Sequence, residues 1–303
     1  MSEQTHWRAY ALLVFTTWCW GLNTIFSRLA VDQISPMQLV MFRWLGVVII
    51  MLVFARKYLY RDWPILRQHL LFLSCIGGIG FTLFNYLFYL AGHYTSALNI
   101  GILQGSMPVF VLLCSLFYLR KGVTPIQAVG VLITLIGVVI IAAGGNLGDL
   151  KALSINRGDL YMLLACFLYA VYSVALGRRP QVSAISLFTV MSIAAWILSM
   201  PLLAVEVLQE GWQAPTTNGW IIALLVTIFP SLVAQIFFIN SVAMIGPNRA
   251  GVFINLVPVF SAIMAVIFLQ ENFEQQHAFS LALVLGGIAL SELGRQRPTA
   301  QTP

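Results

Sequence analysis

Arg43 stands inside the apolar run MQLVMFRWLGVVIIMLVF (37–54), and no Asp or Glu occupies a comparable depth in any other apolar run of the chain. A guanidinium in that setting can cap backbone carbonyls, snorkel toward water along its own stem, or meet the carboxylate of a small molecule. The other apolar runs carry amides, hydroxyls and ring systems: Trp20 and Asn23; Asn85, Tyr86 and Tyr89; Gln104; Tyr172 and Ser173; Gln235 and Asn240; and Asn255. Amides donate and accept hydrogen bonds, and rings stack on flat or apolar solutes for about 0.5–1.5 kcal/mol each beyond burial. This is chemistry of recognition. Catalysis would need a nucleophile beside a base, a pair of acids or a metal constellation. No HExxH or GxSxG occurs, and Ser106 beside Pro108 has no base. No enzymatic activity, metal or cofactor is therefore expected. Each polar residue also has a plainer use, an interhelical hydrogen bond worth about 0.6 kcal/mol on average.

The elements that must position these groups follow from composition. The chain has 303 residues, 60% hydrophobic and 9% charged, with a mean hydropathy of +0.90. Soluble domains carry roughly 25% charged residues, so this composition cannot make a water-facing surface. A spanning helix needs about 20 mostly apolar residues. Ten runs qualify: 9–30, 36–55, 68–91, 95–119, 123–143, 158–177, 184–205, 218–244, 248–269 and 276–293. They are continuously apolar, unlike the short alternating segments of a β-barrel. The expectation is an all-α membrane protein. The first run is too long for a signal-peptide core and lacks a small-x-small cleavage site, so it is read as a retained span. Cys19, Cys75, Cys114 and Cys166 all fall inside spans without CxxC spacing and read as buried small hydrophobes.

With both termini cytoplasmic, twelve of the sixteen basic residues fall on the inner side and only Arg28, Lys151 and Arg157 on the outer, with Arg43 inside a span. That is a strong positive-inside bias. The net charge of +6 is thus a topology signal, and no nucleic-acid partner is expected. Trp7, Tyr10, Trp63, Trp212 and Trp220 suit interfacial belts.

A shift of 150 positions places Pro108 on Pro258, Gly101 on Gly251, Gly137 on Gly287, Phe88 on Phe238 and Asn85 on Gln235, without a gap. Asn23 and Ser173 are also mates. Five spans per copy is odd, so the second copy must enter the membrane from the opposite side. Inverted-topology repeats of this kind underlie many secondary transporters, whose substrate sites lie near the bilayer midplane between the repeats. The division expected is 1–143 for the first five-helix repeat, 144–157 for an outer (periplasmic) linker, and 158–303 for the second repeat with a short cytoplasmic tail. Proline inside a helix removes a backbone hydrogen bond, so Pro108 and Pro258 are read as paired hinges.

The segments NYLFYLAGHYTSALNIGILQGSMPVFVLLCSLFYLRKGVT (85–124) and QIFFINSVAMIGPNRAGVFINLVPVFSAIMAVIFLQENF (235–273) carry a polar-aromatic third span, small residues and a mid-span proline. With WCWGLNTIFSR (18–28) and MQLVMFRWLG (37–46), they make nearly the whole chain resemble the drug/metabolite transporter superfamily. The similar branch is the EamA-type exporters, and within it the YddG-like exporters of aromatic amino acids. One position departs from the pattern: the family usually has Glu after both the fourth and ninth spans, and here Glu271 is kept while Lys121 stands at the first. The resemblance implies a bacterial inner-membrane protein, N-in and C-in, that exports small amphipathic metabolites by alternating access. Amino acids are the favoured substrates; a broad drug and metabolite exporter, a channel and a lipid scramblase are the alternatives. Partners expected are a small-molecule substrate and membrane lipids, with the protein a monomer. Proton-coupled carriers usually hold Asp, Glu or His at mid-membrane; none lies there, which points to facilitated, gradient-driven export.

Overall fold

The computed structural model describes residues 3–119, 122–144 and 156–294. Lys121 and most of the expected linker lie outside the described residues. Among the described residues ten helices are long and apolar enough to cross a membrane: α1 (His6–Leu29), α2 (Pro36–Phe54), α3 (Arg56–Ala91), α4 (Ala97–Tyr118), α5 (Pro125–Ala142), α6 (Arg157–Arg178), α7 (Ala184–Glu210), α8 (Thr217–Ile245), α9 (Arg249–Leu269) and α10 (Gln275–Leu293). Each coincides with an expected run. The largest difference is the start of α3, which begins at Arg56 instead of 68. Its first turns, RKYLYRDWPIL, are polar and expose all but Leu59, Asp62 and Leu66. Such a segment fails a hydropathy reading while still forming an amphipathic helix.

Helix starts are written locally. Ser35 caps α2 ahead of Pro36, and Thr124 caps α5 ahead of Pro125, each through a capping box with a Gln three residues on. Carboxylates brought from elsewhere in the chain complete two helix starts, and a third carboxylate pins the nearby connection, at the end of the bundle where α2, α4 and α6 begin. Glu206 accepts from Ser35 Oγ and from the Met37 amide (3.2 Å). Glu271 accepts from the Ala97 and Leu98 amides, both at 2.8 Å. Asp159 accepts from Thr95 Oγ1 at 2.6 Å.

The packing has a balanced pattern. Helix α5 lies along α10, α2 along α7, and α4 along α9, while α1 holds α8 and α9 as α6 holds α3 and α4. At the α5–α10 contact a Cβ on Gly130 would sit 2.5 Å from the Gly287 carbonyl. The largest fully buried side chains include Phe88, Tyr89, Leu98, Ile100, Ile102 and Leu103 of α3 and α4. The outer face of α5 (Ile126, Val129, Leu132, Ile136, Val139) is exposed, as a lipid-facing stripe should be.

Four spans are interrupted. In α4 the helix stops at Gln104, and the Gly105 and Ser106 amides reach back three residues, to Ile102 (3.0 Å) and Leu103 (2.9 Å). In α9 a 3-10 turn spans Ile254–Leu256. Helix then resumes at Met107 and at Val257, so Pro108 and Pro258 each stand second in the resumed segment. The sequence reading put these prolines in helix interiors; the break precedes them, at a first turn where a missing N–H costs little. The remaining interruptions carried no expectation: a 3-10 turn at Arg67–His69 in α3, and π turns at Gly78–Leu83 in α3 and at Thr227–Val233 in α8. Gly80 and Pro230, one in each π turn, stand at the same 150-residue offset as Pro108 and Pro258. Gly80 is required by packing, since a Cβ there would lie 2.4 Å from the Tyr172 ring.

Candidate substrate site

The two π turns flank one buried polar cluster, and Arg43 of α2 is its hub. Its Nε donates to Ser231 Oγ of α8, and its Nη1 donates to Asn85 Oδ1 and to the Tyr89 hydroxyl of α3, all at 2.6 Å. The Tyr89 hydroxyl in turn donates to Asn23 Oδ1 of α1 (3.0 Å). Asn85 donates to the Phe81 carbonyl (2.6 Å), which also takes the Trp44 indole N–H (3.1 Å). Three helices therefore meet at the guanidinium, and Tyr89 brings in a fourth. The relative exposures are 6% for Arg43, 1% for Tyr89, 3% for Asn85 and 7% for Asn23.

The electrostatics are one-sided. An unpaired buried ion is costly, by several kcal/mol even after relaxation. Here neutral oxygens and ring faces share the charge: the guanidinium carbon lies 5.2 Å from the Trp44 centroid and 6.0 Å from that of Tyr89. Among the described residues the ion pair present is Arg61–Asp62 at 2.9 Å, near the start of α3. Arg43 Nη2 has no hydrogen-bond partner among the described residues, and it is not among the sealed-off polar atoms. That nitrogen offers a free charged N–H donor, of the kind from which a carboxylate oxygen accepts.

Aromatic rings continue outward from the hub. Trp44 stacks on Phe81 (4.5 Å, 5° between planes), Phe81 meets Tyr172 at 5.6 Å, and Tyr172 meets Tyr169 at 5.7 Å. Trp20 donates its indole N–H to the Pro230 carbonyl at 3.1 Å and packs on Phe238 at 5.4 Å.

The EamA-like transporter family model matches this sequence twice, over residues 7–143 and 156–293. The chain belongs to that family. Among its relatives, the uncharacterized transporter YetK of Bacillus subtilis is 25% identical over 96% of this chain and 89% of its own length. An uncharacterized transporter of Archaeoglobus fulgidus is 28% identical over 96% of this chain and 98% of its own. A crystal structure with 18% identity superposes with a TM-score of 0.61 over 97% of this chain and 99% of that one, which shows a shared fold. The protein is thus a multi-pass membrane transporter.

Of the residues singled out from sequence, the fold gathers Asn23, Arg43, Asn85 and Tyr89 into one network, with Trp20 beside the second π turn and Tyr172 across the first. Tyr86 is half-buried against the core. Gln104, at the break in α4, has a buried Nε2 without a partner among the described residues, and Asn255 sits in the corresponding turn of α9. Ser173 neighbours the Tyr169 hydroxyl, Gln235 is half-buried, and Asn240 is exposed; none of the three bonds to the hub. The sequence reading missed Ser231, Trp44 and Phe81. The proline at 230 and the Gly77-Gly78-Ile79-Gly80 run were the signals available for the two π turns that carry Ser231 and Phe81, whereas Trp44 stands in α2 beside Arg43.

Proposed function

We propose that this transporter exports small amphipathic metabolites carrying a carboxylate, amino acids with aromatic side chains first among them, across the bacterial inner membrane. The observation that carries this reading is the buried guanidinium of Arg43, without a carboxylate partner among the described residues, its Nη2 edge free and aromatic rings alongside. A substrate carboxylate would supply the missing counter-charge, and Trp44, Phe81 and Tyr172 would receive the ring. A lipophilic cation would be repelled at the same point, which disfavours the broad drug exporter. A sugar phosphate would want several basic residues, and Arg43 is the one basic residue in the cluster.

Transport would follow alternating access between two inverted five-helix repeats, 1–143 and 158–303, joined by the linker 144–157, with both termini cytoplasmic. The double family match, the balanced packing, and the paired breaks and π turns all support that division. The end of the bundle stitched by Glu206, Glu271 and Asp159 would face outward, closed in this conformation. Pro108 and Pro258 would act as hinges at the breaks beside them. No acid or histidine belongs to the central cluster, so the export is facilitated and needs no proton. Counterflow in proteoliposomes against the set of amino acids and lipophilic cations tests this. Saturable flux of aromatic amino acids, abolished in a folded Arg43→Gln variant and not driven uphill by a pH gradient, is the expected result. Wild-type kinetics in Arg43→Gln would remove Arg43 from the site.

A further inference from the structure

Ser231 forms a hydrogen bond of a register that the other helix-embedded hydroxyls described here do not use. Thr227 bonds Ala223 (2.7 Å), Ser192 bonds Phe188 (2.8 Å) and Ser241 bonds Phe237 (2.8 Å), each four residues back. Ser231 Oγ reaches five residues back, to the Val226 carbonyl at 2.6 Å. In an α-helix the carbonyl five residues back has turned away from the hydroxyl; the contact needs the wider π turn. The same oxygen accepts from Arg43 Nε. One hydroxyl therefore joins the guanidinium to the π register of α8. On the opposite side Asn85 joins it to the Phe81 carbonyl in the π turn of α3.

We infer that Ser231 is a positioning residue of the transport cycle, coupling the occupancy of Arg43 to the helical register of α8. The inference rests on the reading of Arg43 as the substrate anchor. A carboxylate at the Nη2 edge draws the guanidinium toward itself and weakens its bond to Ser231. The hydroxyl then loses the partner that aligns it on Val226, and the extra residue of the π turn is free to be absorbed. Absorbing one residue rotates the helix beyond it by about 100°. The two side-chain bonds from α1 to this part of α8, Trp20 to the Pro230 carbonyl (3.1 Å) and Thr16 to the Ala234 carbonyl (3.3 Å), would have to re-form in a new register. That is a change of the α1–α8 contact, which a gate requires. Pi turns are frequent at functional sites, and here a single hydroxyl ties the register of α8 to the guanidinium.

The test is amide hydrogen exchange over residues 226–235, together with transport kinetics, on the full-length protein in lipid nanodiscs and proteoliposomes. Wild type and Ser231→Ala are compared with and without L-phenylalanine. The expected result in the absence of ligand is at least fivefold faster exchange over 226–235 in Ser231→Ala. Maximal flux of the variant falls at least tenfold, while its L-phenylalanine affinity stays within about threefold. In wild type, L-phenylalanine speeds exchange in the same segment. Wild-type exchange with wild-type maximal flux in Ser231→Ala overturns the inference. So does an affinity loss that matches the flux loss with exchange unchanged, because Ser231 is then a simple binding contact. Should the variant not fold, wild-type exchange decides: acceleration by L-phenylalanine supports the coupling, and none overturns it. If L-phenylalanine fails to bind wild type, or Arg43→Lys binds it as well as wild type, the proposed function fails. The coupling then falls with it, and the ligand-free comparison of exchange still decides separately whether Ser231 holds the π register of α8.

Discussion

Helix α4 opens with amides that its own chain cannot satisfy. Ser96 takes the Asn99 amide at 3.0 Å, and the Ala97 and Leu98 amides go to the two oxygens of Glu271, 2.8 Å each, from the far end of α9. Hydrogen bonds to a charged group contribute about 1.5–3 kcal/mol apiece. Glu271 is half-buried, so the lower end applies and the pair is worth about 3 kcal/mol. Glu271→Gln keeps one acceptor but turns an amino group toward the second N–H and loses the charge at the helix start. The expected loss is about 2 kcal/mol, rising to about 3 for Glu271→Ala. At about 2–4 °C per kcal/mol, the midpoint of thermal unfolding should fall by about 4–8 °C in Glu271→Gln. Tryptophan fluorescence melts of the purified protein in detergent read this directly. A Gln variant that melts within 1 °C of wild type would refute the reasoning, since the carboxylate would then be doing nothing for α4 that solvent does not do.

Other expectations follow from the same geometry. Pro108→Ala and Pro258→Ala should change unfolding stability by less than about 1 kcal/mol, because both prolines begin a helical segment, yet slow counterflow; unchanged flux in both would reduce them to packing features. Gly80→Ala forces a methyl against the Tyr172 ring and should destabilise by about 1–3 kcal/mol in a denaturant or thermal titration, and a neutral substitution would contradict the close contact. His93, in the connection between α3 and α4, is held below the usual histidine range by burial, with Arg28 adding to the effect and Asp32 and Glu210 opposing it. The unfolded chain therefore takes the proton first. Stability should be level above about pH 7 and decline as pH falls through about 6.5. His93→Gln should flatten that limb of a melting-temperature profile, and an unaltered limb would rule the residue out.

The ten spans were legible because continuous apolar runs leave no other way to satisfy a backbone in lipid. The start of α3 was hidden because a stretch bearing Arg56, Lys57, Arg61 and Asp62 reads as a loop until Asp62 and Leu66 are seen to face inward. The prolines were legible as landmarks but not as positions within a helix, since nothing in Met107-Pro108 says that the helix has just been interrupted at Gly105. The hub was half legible. Arg43, Asn85, Tyr89 and Asn23 stood out as polar groups in apolar runs, whereas Ser231 is an unremarkable residue whose role depends on a π turn. One extra residue in a helical turn leaves the hydrophobic pattern almost unchanged, so neither π turn could be read from periodicity. The 150-residue register pointed to Gln235 and Ser173 as partners of Asn85 and Asn23, but hydrogen-bond geometry put Ser231 in contact with Arg43 and left those two outside the network.

The central claim is that a carboxylate is recognised by Arg43, and it is tested most directly by changing the ligand instead of the protein. Counterflow of labelled L-phenylalanine in proteoliposomes is competed with unlabelled L-phenylalanine and with phenethylamine, which keeps the ring and the amine and lacks the carboxylate. One charged hydrogen bond from Nη2, at about 1.5–3 kcal/mol, predicts a difference of about 10- to 100-fold in competing concentration, with the amine the weaker. Equal competition by the two compounds would contradict the account.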